Sequence, residues 1–330
     1  MDGSALRTLG DPLVDATIAA VVTAFDVAFP SRLRAGYTLG SYADASAIGA
    51  SDLDLTLVFA GALSDEERAR AEQLAALCVQ RSQLELDIEF EDERSLALGS
   101  SPNFKLGSAL VWGEDIRAQT PLVSLAAWTR DRMHSSWWRV ARLFARPVVI
   151  CLPLEYPEPA DPFRGYTRRT LRLANGDEVP CTRDLIRLTG WAATGLLALQ
   201  SGVYVARKSD VHSLYREQIG GEWAELIEQM YTLCRLRWGY LIPAEPAERA
   251  QLCALCDQTL GFERAFAATY RAYLLAELAS DDPEATRSAV EAMTHAPLRD
   301  DAVVAALERL AQQGDAASKP LAQAALQHLR

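Results

Sequence analysis

The chain has 330 residues, enough for two domains and a smaller third piece at about 150 residues per domain. Apolar residues make up 49% and charged residues 23%, the balance of a globular protein, which excludes wholesale disorder. The net charge of −11, from 33 basic and 44 acidic side chains, opposes a general polyanion-binding surface and so excludes long DNA or RNA as the main ligand. It does not exclude a single nucleotide held with metal ions.

Residues 12–28 carry apolar side chains at helical spacing, and Pro30 ends that helix. A short apolar segment, Tyr37 to Leu39, leads into a small-residue loop from Gly40 to Ser51. Residues 52–59 alternate, with Leu53, Leu55, Leu57 and Phe59 on one face, as in a half-buried strand. Ser64 and an acidic first turn open a second helix that runs to 81. Residues 84–90 alternate again. Helix, strand, loop, strand, helix, strand predicts a small α+β domain with a mixed sheet and helices.

A further apolar segment, Ala109 to Trp112, ends in Gly113-Glu114-Asp115, and a helical stretch follows from about 122 to 145. The Pro-rich segment 147–162 reads as a linker. Asn175-Gly176-Asp177 marks a hairpin turn. Beyond Thr182 the chain reads as helix, with breaks near Gly202, Gly220 and Pro243. Three short amphipathic helices, near 282–294, 299–312 and 316–329, resemble one HEAT-like unit, and a lone unit serves better as a cap than as a solenoid. The expected domains are 1–150, 151–280 and 281–330, the second and third all-α.

No apolar run reaches the roughly 18 residues that a bilayer span needs, so no membrane association is expected. The acidic start of the chain differs from the basic region of a signal peptide, and a cytoplasmic location is the expectation. Six scattered cysteines fit reduced thiols. Cys253 and Cys256 form a lone CxxC in an apolar helical run, without a second pair or a nearby His, so core thiols are expected there and not zinc.

The segment that carries chemistry is Gly40-Ser41, a ten-residue gap, then Ser51-Asp52-Leu53-Asp54-Leu55. Alternation puts the carboxylates of Asp52 and Asp54 on one strand face. Two adjacent carboxylates cost energy unless a cation offsets them, and oxygen ligands of this kind suit Mg²⁺, whose remaining ligands come from water and substrate phosphates. A Gly at position 40 allows close backbone approach, and the Ser41 hydroxyl with backbone N–H groups can hold phosphate oxygens. Glu85, Asp87 and Glu89 share a face of the next strand, and one of them could accept the proton of an attacking hydroxyl.

This combination resembles the polymerase-β-like nucleotidyltransferase superfamily, whose pattern is GS, a gap, DxD and a third carboxylate on a later strand. The gap length and the Ser before the first Asp are similar to the aminoglycoside adenylyltransferases that act on streptomycin and spectinomycin. The resemblance implies phosphate binding by Gly40 and Ser41 and metal binding by Asp52, Asp54 and a third acid. The polymerase-like pattern points to Asp87 in Asp87-Ile88-Glu89-Phe90. The streptomycin-type pattern points to Glu85 in Leu84-Glu85-Leu86, and both remain open. Residues 109–116 resemble a strand end common in bacterial members. Lys208-Ser209 resembles a Lys-Ser pair in the helical tail of the group, with Lys208 reaching a triphosphate.

Bland roles compete at several positions. Glu114 and Asp115 suit helix capping, and Lys208-Ser209 suits a helix start. Trp137, Trp138, Trp191, Trp223 and Trp238 suit core packing, whereas Trp112, at a strand end near the acids, is a candidate for stacking on a base or sugar. Apart from Lys105, Lys208 and Lys319, every basic residue is arginine, which singles those three out. The expected activity is transfer of a nucleoside monophosphate, AMP from ATP foremost, to a hydroxyl of a small acceptor such as an aminoglycoside. Two Mg²⁺ ions would assist, and pyrophosphate would leave. The competing expectation is a non-catalytic module of the same fold joined to a helical scaffold for protein partners.

Overall fold

The computed structural model describes residues 6–173 and 176–329. They fall into two compact units: Met1–Ser124 with Tyr204–Asp210, and Leu125–Val203 with Val211–Arg330. The division therefore lies at Ser124 and not near 150, and a short segment from far along the chain joins the first unit.

The first unit opens with helix α1 (Pro12–Ala28), where the Asp11 side chain accepts from the amides of Leu13 and Val14 and Pro12 occupies the first turn. Such a cap stabilises a helix by about 1 kcal/mol. Strand β1 (Leu33–Leu39), the single turn α2 (Gly40–Ala43) and strand β2 (Leu53–Phe59) follow. Helix α3 (Asp65–Arg81) starts in a capping box between Ser64 and Glu67. Strand β3 (Leu86–Asp92), the short helices α4 (Glu93–Leu98) and α5 (Pro102–Gly107), and strand β4 (Ala109–Gly113) complete it. β1 starts earlier than the apolar segment at Tyr37.

The sheet order is β3-β2-β1-β4. β2 pairs antiparallel with β1 and parallel with β3, with α3 as the crossover, and β4 pairs antiparallel with β1. One sheet face carries Leu53, Leu55, Leu57, Leu86 and Ile88 against the buried stripe Val14, Ile18, Val22 and Phe25 of α1 and against Ala71 and Ala75 of α3. Burying side chains of this size contributes about 1.5–3 kcal/mol each. On the opposite face a second core (Ala35, Tyr37, Val58, Phe104, Leu110, Ile116) covers the β1–β4 side. The β2–β3 side of that face bears the carboxylates.

The second unit is mainly helical: α6 (Leu125–Arg142), α7 (Arg183–Leu196), α8 (Val211–Gln218), α9 (Ala224–Gln229), α10 (Pro246–Leu278), α11 (Pro283–His295), α12 (Asp301–Gln313) and α13 (Ser318–His328). The last three lie close to the three amphipathic segments expected at the end of the chain. Strands β6 (Thr170–Arg172) and β7 (Glu178–Pro180) form the expected hairpin, although Asn175 of its turn lies outside the described residues.

The Pro-rich segment is not a linker. Its strand β5 (Ile150–Cys151) pairs with β8 (Leu298–Arg299), and Ile150, Leu154 and Phe163 are buried. An ion pair fastens it: Arg146 grips both Glu263 oxygens at 2.7 and 2.8 Å, and the Tyr166 hydroxyl donates to the same carboxylate at 2.5 Å. Trp137 is fully buried, stacked on Tyr270. Trp138, expected in the core, is 45% exposed, because successive helical residues point about 100° apart and Trp137 takes the inward direction. All six cysteines are free thiols. Among the described residues, no helix is long and apolar enough to cross a membrane.

Candidate active site

Asp54 sits in β2 opposite Leu39 on one side and Asp87 on the other. Parallel neighbours in register share a face, about 4.8 Å apart, so the Asp54 and Asp87 side chains rise side by side. Asp52 lies just before β2, near enough for its charge to act on Asp54. Burial pushes the Asp54 carboxyl up to about 6, with Lys208 pulling it back down and Asp52, Asp87 and Glu89 pushing it further up. Asp54 thus feels three other carboxylates, those of Asp52, Asp87 and Glu89. Glu85 lies just before β3, where its carbonyl accepts from the Leu53 amide at 2.8 Å.

The loop ahead of β2 is shaped to meet Asp54. Gly40 has φ +63°, and a Cβ there would stand 2.6 Å from Asp54 Oδ2. Glycine meets both demands without strain. Ser41 follows in α2. At the far end of the loop Ser51 Oγ accepts from the Ile48 amide at 2.9 Å and the Ser51 amide donates to the Ile48 carbonyl at 2.8 Å, closing a turn before Asp52.

Lys208 reaches the site by a route that local sequence does not show. Its Nζ stands 3.8 Å from Asp54 Oδ2, with the side chain 58% exposed. Segment Tyr204–Asp210 is laid against α5: a Cβ on Gly107 would stand 2.2 Å from the Ala206 carbonyl oxygen, and Asn103 Nδ2 donates to that oxygen at 3.0 Å. The Tyr204 hydroxyl donates to the Val123 carbonyl at 2.7 Å. Ser209 Oγ donates to Asp44 Oδ2 at 2.6 Å, while the other Asp44 oxygen accepts from the Ser46 hydroxyl and amide at 2.5 and 3.0 Å. Asp44 therefore ties the Gly40–Ser51 loop to the segment carrying Lys208. Asp44, Asn103 and Gly107 carry no local sequence signal of these contacts, because their partners lie far along the chain.

The structure brings Gly40, Asp52, Asp54, Asp87 and Lys208 into one neighbourhood. Glu114 instead pairs with Arg34 at 2.7 Å. Asp115 is held down at about 2 by Arg117, accepts from that residue's amide at 3.2 Å at the start of the single turn Arg117–Gln119, and accepts from the Tyr37 hydroxyl at 3.2 Å. Trp112 is half-buried against the α1/α3 core. Lys105 serves the scaffold, donating to the carbonyls of Arg117 and Thr120. His212 stacks on Tyr231, with ring centroids 4.4 Å apart. Among the described residues, no group of three or more carboxylate, His or Cys side chains is gathered closely enough to hold a metal ion as it stands.

No family model and no curated protein matches the chain. Among solved structures it is similar to the spectinomycin adenyltransferase AAD(9) from Enterococcus faecialis, determined with ATP and spectinomycin. The TM-score is 0.45 at 13% identity, over 76% of this chain and 98% of that one. A likeness this slight says nothing of chemistry or substrate.

Proposed function

We propose that this protein is a nucleotidyltransferase that moves a nucleoside monophosphate, AMP from ATP foremost, to a hydroxyl of a small acceptor, with pyrophosphate leaving. The observation that carries this reading is the Asp54 environment: Asp87 abreast on the neighbouring strand, glycine pressed against one carboxylate oxygen, and Lys208 Nζ at 3.8 Å. An acid held at about 6, chiefly by burial and further by its acidic neighbours, is a costly arrangement for a structural surface. A hard divalent cation would relieve this repulsion once the carboxylates closed around it.

Asp52, Asp54 and Asp87 would hold Mg²⁺, two ions in this reading. Bound there, magnesium supplies neutralisation of the triphosphate and of the departing pyrophosphate. Gly40 leaves room for backbone amides to approach a phosphate, and the Ser41 hydroxyl adds a donor. Lys208 is exposed enough to turn from Asp54 to a phosphate oxygen. Asp87, with Glu85 as the alternative, accepts the proton of the acceptor hydroxyl as its oxygen bonds to the α-phosphorus and the bond to the bridging oxygen breaks. An aminoglycoside is one acceptor of suitable chemistry. The second unit serves acceptor binding in this reading, with α11–α13 as a HEAT-like cap.

Calorimetric titration with ATP and Mg²⁺ tests the proposal. Saturable binding by the wild type, lost in Asp54→Ala, is the expected result. No binding, or equal binding by the variant, refutes it. Nucleotide binding without pyrophosphate release, across a panel of hydroxyl acceptors, would favour the non-catalytic module.

A further inference from the structure

Lys208 carries its charge on a flexible four-carbon stem, so where that charge can act depends on what fixes the backbone beneath it. Its own ion pair does not: Nζ stands 3.8 Å from Asp54 Oδ2 with the side chain 58% exposed, and pairs of that kind contribute little. Three other contacts hold the segment. The Tyr204 hydroxyl donates to the Val123 carbonyl, Asn103 donates to the Ala206 carbonyl, and the Ser209 hydroxyl donates to Asp44. The first two anchor the chain before Lys208 is reached. Ser209 is the immediate neighbour of Lys208, in the single turn Lys208–Asp210.

Asp44 is shaped to receive that bond. It follows α2, and the next residue, Ala45, has φ +58°. A residue with a side chain adopts left-handed backbone at a cost, and keeps it where its surroundings fix it. This turn brings the Ser46 amide and hydroxyl onto Asp44 Oδ1 at 3.0 and 2.5 Å. Oδ2 receives the Ser209 hydroxyl at 2.6 Å, a length typical of a hydroxyl on an ionised carboxylate, whereas Asp210 Oδ1 stands 3.4 Å from the same hydroxyl. One carboxylate thus joins the turn that begins at Gly40-Ser41 to the residue beside Lys208. All of these residues belong to the first unit.

We infer that Asp44 is a positioning residue. Through Ser209 it holds the Lys208 backbone in place while the ammonium turns from Asp54 to a phosphate oxygen, so that Gly40-Ser41 and Lys208 receive a triphosphate as one unit. This rests on the nucleotidyltransferase reading, in which Gly40, Ser41 and Lys208 meet the phosphates. Asp44 itself touches no substrate.

The test is a double-mutant cycle on the full chain, read by calorimetric titration with Mg-ATP. Lys208→Ala is expected to weaken binding about tenfold or more, the worth of a hydrogen bond to a charged group. Ser209→Ala and Asp44→Ala should each weaken it about three- to tenfold, a coupling of the size found between residues in contact. Ser209→Ala added to Lys208→Ala should cost no more than about twofold further, because the hydroxyl acts through the lysine. A merely structural role would multiply the two losses. Unfolding midpoints verify that each variant is folded, and Asp44→Ala replaces Ser209→Ala in the cycle if the latter is not. Multiplied losses, unaltered binding in Lys208→Ala, or unaltered binding in both Ser209→Ala and Asp44→Ala overturns the inference and leaves the nucleotidyltransferase reading standing, provided that Asp54→Ala still abolishes binding. Absence of Mg-ATP binding by the wild type overturns both.

Discussion

Gly40 and Asp54 stand so close that a Cβ on residue 40 would lie 2.6 Å from the Asp54 Oδ2. The backbone at Gly40 is also left-handed, with φ +63°. Gly40→Ala therefore meets two penalties, a conformational cost of about 1–2 kcal/mol and displacement of the carboxylate. Urea denaturation should show that loss of stability, and calorimetry should show weakened Mg-ATP binding. A variant that binds Mg-ATP as the wild type does would remove Gly40 from the proposed site.

Asp54 makes stability depend on pH in a defined direction. Its carboxyl titrates near 6 in the folded chain against 3.8 ordinarily, so between those values the native state holds more protons than the unfolded state. Stability from this group accordingly falls as pH rises from about 4 to about 6, then levels off. Asp54→Asn removes the dependence. Allowing for partial exposure of the group, the variant should be about 1–2 kcal/mol more stable at pH 8, with the gain vanishing near pH 4. Denaturation curves at the two pH values measure this. A variant less stable at pH 8 would contradict the strain assigned to the site.

Asp87 lies in register with Asp54, whereas Glu85 precedes the strand. Asp87→Asn is expected to lower the rate of pyrophosphate release by about 10²–10⁴, the usual worth of a general base. Glu85→Gln should stay within a few-fold of wild type. The reverse ranking would make Glu85 the third acid.

Glu263 is buried with both oxygens committed to Arg146 and one also to Tyr166. Glu263→Ala strands the Arg146 charge and should cost about 3–5 kcal/mol in chemical denaturation. Tyr166→Phe removes one hydrogen bond and should cost about 1 kcal/mol. Comparable losses in the two variants would mean that the ion pair contributes little.

The parts of the fold that were legible are those with local signals. Asp11, Pro12 and the apolar spacing announce α1, Ser64 and Glu67 announce α3, and alternation exposes β2 and β3 together with the face bearing Asp52, Asp54 and Asp87. β1 was only half visible, because Arg34 and Gly36 interrupt its apolar pattern; Arg34 pairs with Glu93 and Glu114 across the sheet surface, and Gly36 packs under Leu57. The pairing of β5 with β8 joins residues far apart in sequence, and two-residue strands carry no periodicity. Prolines around Cys151 made a packed segment read as a connector. Lys208 was singled out by composition, but its path to Asp54 depends on Gly107, Asn103 and Asp44, whose partners are distant in the chain.

The return of Tyr204–Asp210 to the first unit bears on how the protein is made. A chain growing from its N-terminus presents α1, α3 and all four strands of the sheet once Ser124 has emerged. The seat on α5 beside Gly107 is filled only after synthesis has passed Asp210, by which time α6 and α7 are also available to fold. A fragment stopped at Ser124 would keep the paired aspartates but lack Lys208 and Ser209. The catalytic arrangement proposed here is thus completed only after Leu125–Val203 of the second unit has already been produced.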